Sequence, residues 1–297
     1  MRRTRARTNS GLVLLPGNEE HVVVRTVNPI VVEQFMNAVA QSPVSSLLLD
    51  YDGTLAPFCL NRQQAVPYPG MTALLQEIIA NGRTRVVMIT GRNAHEVGPL
   101  LAVHPIPEIW GCHGLERLRP DGTYETPSVN EPVRHALADA DRWLRSQGLH
   151  NRAEFKTGAV ALHLRGLDEA TAAETRGQVL LGWLPIAQNT PMELLEFDGG
   201  IEMRMPGRDK GDAVCTILNE IGPEVPVAYL GDDLTDERAF LALGNLGLSV
   251  LVRPEWRETA AALWISPPEG LREFLTRWLR ASREGQHCAR TESSGPK

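Results

Sequence analysis

The chain has no run close to the roughly 20 consecutive apolar residues that a membrane-spanning helix needs, so no membrane partner is expected. It has 4 cysteines, and Cys59, Cys112, Cys215 and Cys288 never fall into C-x-x-C spacing, which argues against a zinc centre and against a disulfide framework. Scattered thiols suit a reducing, cytoplasmic setting. An excess of basic residues is missing too: 30 Lys and Arg stand against 36 Asp and Glu, and a net charge of −6 argues against nucleic acid as the main partner. The start, Met1-Arg2-Arg3-Thr4-Arg5-Ala6-Arg7, has the charge of a targeting segment but lacks its apolar stretch, because Leu12 to Leu15 is short and ends at Pro16. It reads as a disordered arm.

What is present is acidic and local. Asp50 and Asp52 lie in Leu47-Leu48-Leu49-Asp50-Tyr51-Asp52-Gly53-Thr54, and Asp232, Asp233 and Asp236 lie in Leu230-Gly231-Asp232-Asp233-Leu234-Thr235-Asp236-Glu237. Each cluster follows a short apolar run that reads as a buried parallel strand, so both emerge where an open α/β sheet places its ligand crevice. Asp and Gly after a strand are ordinary turn residues. The turn reading loses to the ordered set: Thr90-Gly91-Arg92 after Val86-Val87-Met88-Ile89, then Lys210-Gly211, then the second acidic cluster.

This ordered set resembles the haloacid dehalogenase superfamily of phosphatases, with Asp50-Tyr51-Asp52-Gly53-Thr54, Thr90, Lys210 and Gly231-Asp232-Asp233 in the places of its four catalytic motifs. The chemistry asks for those residue types. A phosphomonoester is a poor electrophile surrounded by negative charge, so it needs a nucleophile, a proton for the leaving oxygen and cations for the remaining oxygens. Asp50 fits the nucleophile that forms an aspartyl-phosphate, and Asp52, two residues on, fits the general acid and then base. Thr90 and Lys210 would hold phosphoryl oxygens. Two unit charges 4 Å apart at an effective dielectric near 20 cost roughly 4 kcal/mol, so clustered carboxylates call for a hard cation, and Mg²⁺ with oxygen ligands is the natural choice. Asp50 and Asp232 are the expected side-chain ligands. The resemblance adds the Asp52 main-chain carbonyl, and Asp233 and Asp236 fit either direct or outer positions.

Organisation follows the motifs. With 297 residues, 42% of them hydrophobic, the chain can build one large domain or two moderate ones. The expected fold is α/β: a doubly wound parallel-sheet core over residues 44–114 and 206–280, and an inserted α/β cap over 115–205. An amino-terminal extension over 1–43 holds a helix near Val31 to Val39, and a disordered tail is expected over 281–297. Core strands are read at Ser46 to Asp50, Arg85 to Thr90, Ile109-Trp110, Val225 to Leu230 and Leu248 to Val252. Core helices are read at Met71 to Asn81, at Asp212 to Ile221 and around Leu271 to Leu279. The cap reads as helices at Pro132 to Ser146 and Asp168 to Leu181, strand alternation in Ala159 to Arg165, and a pair Glu193 to Phe197 and Ile201 to Met205 joined at Asp198-Gly199-Gly200.

An inserted cap in that place resembles the subgroup acting on small sugar phosphates, where closure shields the aspartyl-phosphate from water. Glu154-Phe155-Lys156 with His163-Leu164-Arg165, Ile201-Glu202-Met203-Arg204 leading to Lys210-Gly211, and the Leu234-Thr235-Asp236-Glu237 ending look like the trehalose-6-phosphate phosphatase family. The resemblance implies hydrolysis of trehalose 6-phosphate, with Arg92, Glu154, Lys156, His163, Arg165, Glu202 and Arg204 as substrate-binding residues and functional coupling to a trehalose-6-phosphate synthase. The cap residues also admit a plainer reading as a solvated strand face. His113 is read as a hinge residue. The alternatives in the same superfamily are a phosphatase of another sugar phosphate, such as sucrose phosphate or mannosyl-3-phosphoglycerate, and a phosphosugar mutase.

Overall fold

The computed structural model describes residues 29–292 except 60 and 198, so residues 1–28 and 293–297, and Asp198 of the expected Asp198-Gly199-Gly200 junction, lie outside the described residues. In chain order the strands are β1 (Ser45–Leu49), β2 (Thr84–Ile89), β3 (Glu108–Gly111), β4 (Glu116–Leu118), β5 (Tyr124–Glu125), β6 (Ala153–Lys156), β7 (Ala159–His163), β8 (Glu193–Phe197), β9 (Gly200–Arg204), β10 (Val227–Gly231), β11 (Leu248–Val252) and β12 (Leu263–Ile265). The helices are α1 (Pro29–Gln41), α2 (Met71–Ala80), α3 (Ala94–Leu101), α4 (Glu131–Ser146), α5 (Glu169–Gln188), α6 (Lys210–Ile221), α7 (Glu237–Leu243) and α8 (Glu269–Glu292).

The larger sheet runs β12-β11-β10-β1-β2-β3-β4-β5, parallel from β12 to β3 and antiparallel across β3, β4 and β5. The pleat sorts its apolar runs between two layers of helices. Leu47, Leu49, Met88, Leu230 and Val250 pack with residues of α1, α2, α3 and α8. Leu48, Val87, Ile89, Tyr229 and Leu251 face the other way, onto α6 and α7. Because both layers cover the sheet, Asp50 and Asp232, one residue beyond the ends of neighbouring β1 and β10, share its carboxyl crest.

The cap is the four-stranded antiparallel sheet β6-β7-β9-β8 with α4 and α5 on one face. Val160, Leu162, Ile201 and Met203 point into that helical layer with Val133, Leu144, Val179 and Trp183. The opposite face is built on Ala159 and Ala161, whose small side chains leave room for the long polar side chains of adjacent strands.

Three expectations change. The expected disorder from Ala281 onward is replaced by a helix that continues to Glu292; Ala281 and Ser282 are buried, and Ser282 is held by Asn81 Nδ2 at 3.0 Å and, through its carbonyl, by Arg83 Nη1 at 2.7 Å. The amino-terminal helix joins the core layer, burying Val32, Met36 and Val39 beside Trp278. Helix α5 passes the expected end at Leu181 and continues through Pro185 to Gln188. No helix among the described residues is long and apolar enough to cross a membrane.

Candidate active site

On the core side, local backbone chemistry fixes each acid. The Asp50 N–H donates to the Leu230 carbonyl at 2.8 Å, continuing the β1–β10 ladder by one bond. Gly53 follows at φ 86°, where a Cβ would fall 2.1 Å from Asp232 Oδ2; only glycine fits. Lys210 opens α6 because Asp209 caps it, accepting from the Gly211 and Asp212 N–H groups while Asp212 accepts the Asp209 N–H in return. Its ammonium therefore stands at a fixed place, 2.8 Å from Asp50 Oδ1 and 2.7 Å from Asp236 Oδ1.

Ligand oxygens of Asp50, Asp232 and Asp236 all lie within 4.8 Å of one another, and all three residues are buried. Burial pushes the Asp50 carboxyl up to about 7, reinforced by Asp236 and opposed by Lys210. Burial, then Asp50 and Asp236, also raise Asp232 well above the carboxylate range. Burial works against the Lys210 charge, yet Asp236 and Asp50 outweigh it and hold the ammonium above the ordinary lysine range. Asp232 Oδ2 is buried without a hydrogen-bond partner, while Thr54 Oγ1 lies 3.5 Å from both Asp232 Oδ1 and Asp50 Oδ2. Asp236 differs from both: its Oδ1 accepts from Lys210 and from the Tyr229 hydroxyl, and its Oδ2 from the N–H groups of Asp232 and Asp233 at 3.0 and 2.9 Å. With four donors it organises the loop from behind. Asp233 lines the pocket and accepts the Leu234 N–H at 2.7 Å, and Glu237 turns away to hold Arg257, Thr259 and the Ala260 N–H.

The other expected residues fall into two groups. Lining the pocket are Asp50, Asp52, Glu154, Lys156, His163, Arg165 and Lys210, together with His113, which sequence reading took as a hinge. Behind it stand four more. Thr90 is buried, its hydroxyl accepting the Arg92 N–H at 3.1 Å. Arg92, expected to touch substrate, is 1% exposed, and its Nε and Nη2 each donate to Asp52 at 2.6 Å. Glu202 is buried, accepting from Lys156 at 2.9 Å and facing His113 Nε2 at 3.2 Å, so it orients those two side chains. Arg204 lies outside the pocket lining, 3.7 Å from Glu193.

Charges on the cap face pair off. Burial disfavours the Glu202 anion, but Lys156 and then His113 more than compensate and hold it well below the usual carboxylate range. Burial, with Arg62, Lys156 and Arg165 around it, pushes His163 down to about 3, so it is neutral at physiological pH and bonds Glu154 at 2.8 Å. His113 is lowered by burial against the pull of Glu202, and its Nδ1 is buried without a partner. Its ring fills the space beside Gly91, where a Cβ would lie 2.7 Å from Cε1.

Sequence reading missed Phe58, Arg62 and Phe197. Phe58 carries the Arg165 guanidinium 3.6 Å from its ring centroid, and Arg62 makes an ion pair with Glu154 across the pocket. Neither sits in a periodic or motif-like pattern, and only the fold brings them to the cap.

With this geometry in hand, comparison with known proteins is decisive for family. The trehalose-phosphatase sequence model matches residues 48–260. The chain belongs to the trehalose-phosphatase family. A relative called trehalose-phosphate phosphatase in Mycobacterium bovis is 30% identical over 262 residues, covering 83% of this chain and 63% of its own. This family member thus spans less than two thirds of that mycobacterial protein. Among solved structures, the C-terminal domain of Candida albicans trehalose-6-phosphate phosphatase superposes with a TM-score of 0.69 at 19% identity, covering 85% of this chain and 96% of that one. A haloacid dehalogenase-like hydrolase from B. subtilis gives 0.55 at 16% identity, covering 78% and 99%. Those two likenesses establish the fold.

Proposed function

We propose that the protein hydrolyses trehalose 6-phosphate to trehalose and phosphate through an aspartyl-phosphate on Asp50. The observation that carries the reading is the Lys210 ammonium held between Asp50 and Asp236 at the sheet crest, directly under a cap face of paired polar side chains. Such an arrangement suits a dianionic phosphoryl group joined to an uncharged polyol.

An Asp50 carboxylate oxygen attacks phosphorus as the bond to the sugar oxygen breaks, and Asp52 gives its proton to that oxygen. Water then attacks the same phosphorus, losing a proton to Asp52, and the acyl-phosphate bond breaks to free phosphate and restore both aspartates. Lys210 offsets charge on the phosphoryl oxygens throughout. The cap excludes bulk water from the intermediate.

The buried donor set is all carboxylate oxygen, and the orphaned Asp232 Oδ2 beside Asp50 fits a hard divalent cation, Mg²⁺ in this proposal. Asp50 and Asp232 would hold it, with the Asp52 carbonyl and Asp233 nearby and Asp236 behind. When bound, it supplies charge neutralisation for the phosphoryl group. On the cap, Glu154, Lys156, His163 and Arg165 read the second glucose, with Glu202 setting Lys156. A cytoplasmic setting accords with free Cys59, Cys112 and Cys215, and a glucosyl-transferring synthase is the expected supplier of substrate.

Phosphate release across a panel of sugar phosphates tests this. The proposal expects trehalose 6-phosphate to be preferred over glucose 6-phosphate and sucrose phosphate. Equal rates on all would remove the substrate assignment, and phosphoryl return to sugar without free phosphate would identify a mutase.

A further inference from the structure

We propose that Arg62 is a positioning residue that couples the cap to Asp52, acting through Arg92. The inference rests on the phosphatase reading given above. Arg62 begins a single 3-10 turn, 62–64, in the loop between β1 and α2, where Asn61 Oδ1 accepts the Gln63 N–H at 3.1 Å. From there it works in two directions. Its guanidinium reaches the cap and pairs with Glu154, which also takes His163. Its main-chain carbonyl faces the core and accepts from Arg92 Nη1 at 2.8 Å.

Arg92 has its two other nitrogens, Nε and Nη2, on the two oxygens of Asp52. A guanidinium is planar and rigid, so fixing one nitrogen fixes the direction of the other two. The Arg62 carbonyl thereby sets the grip on Asp52, and Glu154 sets the Arg62 loop. Phe58 in the same loop is clamped by Arg165 of the cap, giving the loop a second anchor on that side.

The consequence concerns the proton. Each Asp52 oxygen accepts one hydrogen bond from Arg92 and keeps a second lone pair, and the carboxyl lines the pocket from within that fork. In the acid step the protonated Asp52 oxygen gives its proton to the departing oxygen as the Asp50–phosphorus bond forms and the phosphorus–oxygen bond breaks, leaving the carboxylate that Arg92 holds. A correctly held fork keeps the proton-bearing oxygen aimed at the departing oxygen. A loop released from Glu154 lets Arg92 drift, and proton delivery suffers first.

The experiment uses sugar-free aryl phosphates of graded leaving-group acidity, because their rates report proton delivery without any contact between a sugar and the cap. General acid catalysis supplies about 10²- to 10⁴-fold, so Arg62→Ala should lower kcat by about tenfold or more on phenyl phosphate and by under about twofold on dinitrophenyl phosphate. Arg62→Lys, which keeps the cation, should recover most of the loss, and Glu154→Gln should steepen the same dependence. If Arg62→Ala does not fold, the Arg62→Lys and Glu154→Gln slopes decide. A uniform loss on every aryl phosphate, or a loss confined to trehalose 6-phosphate, would overturn the proposal and leave Arg62 as a structural or sugar-contacting residue. Unmodified protein that hydrolyses aryl phosphates but shows no preference for trehalose 6-phosphate would remove the substrate assignment alone. Failure on every monoester would remove the phosphatase reading and this proposal with it.

Discussion

The two walls of the pocket carry charge in different ways. On the core wall three buried carboxylates crowd one ammonium, two of the acids are pushed upward by burial, and one Asp232 oxygen has no donor. On the cap wall each acid has its partners: Glu202 with Lys156 and His113, Glu154 with Arg62 and His163. In the proposed function a phosphoryl group and a cation would offset the core wall's crowded charge, whereas the acids of the cap wall are already paired and that wall offers hydrogen bonds. Under the proposed function, one wall serves the charged chemistry and the other recognises a neutral polyol.

The largest effect should come from the core. Asp50→Asn keeps the shape and removes the attacking anion, so kcat should fall by about 10⁴-fold or more, on the scale of losing a nucleophile, with the thermal unfolding midpoint retained. Substantial turnover by a folded Asp50→Asn variant would break the comparison at its root. Metal removal follows: excess chelator should abolish turnover and Mg²⁺ restore it, while Ca²⁺ should raise the unfolding temperature without supporting catalysis, since its looser shell ties up the attacking Asp50 oxygen. Full activity in chelator would mean the core wall is balanced by Lys210 alone.

How much of this the sequence discloses follows the same division. Core acids sit in contiguous stretches at strand ends, where an apolar run followed by Asp-x-Asp-Gly or Gly-Asp-Asp is legible in one dimension. The cap set is dispersed over β6, the end of β7 and β9, and only family resemblance draws Glu154, Lys156, His163, Arg165 and Glu202 together. Even then the resemblance does not separate side chains facing the pocket from those behind it: Arg92 and Glu202 turn out to hold other residues, and Arg204 pairs with Glu193. Arg62 is illegible because a lone arginine in a loop carries no pattern. Helix α3 is not among the elements read from the sequence, although Asn93 caps it and Pro99 lies in its last turn. The continuation of α8 past Ala281 has no large apolar residue to announce it; small Ala281 and Ser282 are buried, with Ser282 held beside the α2–β2 turn by Asn81 and Arg83.

A smaller effect sharpens the contrast from outside the pocket. Glu220 bonds Arg117 and Arg85 in a network that also holds Glu108. Hydrogen bonds from Arg117, then Arg85, outweigh burial and depress the Glu220 carboxyl from 4.5 to about 2. Its stabilisation is therefore present above the unfolded value of 4.5 and lost as pH falls toward 2. Allowing for its partial exposure, Glu220→Gln should cost about 1–2 kcal/mol at neutral pH and flatten acid unfolding in that window. Denaturant melts from neutral pH downward check this, and kcat should hardly move. A large kcat change would mean that the site depends on charge well beyond its own walls.

The most direct measurement is the ratio of kcat/KM for trehalose 6-phosphate to that for p-nitrophenyl phosphate, in the unmodified protein and in Lys156→Ala. Each lost hydrogen-bonding group should cost about 1–3 kcal/mol on the disaccharide, and remote binding energy is used in closing the cap, so the ratio should fall by about tenfold or more through the trehalose 6-phosphate term. An unchanged ratio, with both substrates losing activity together, would contradict a division of labour between a catalytic core wall and a recognising cap wall.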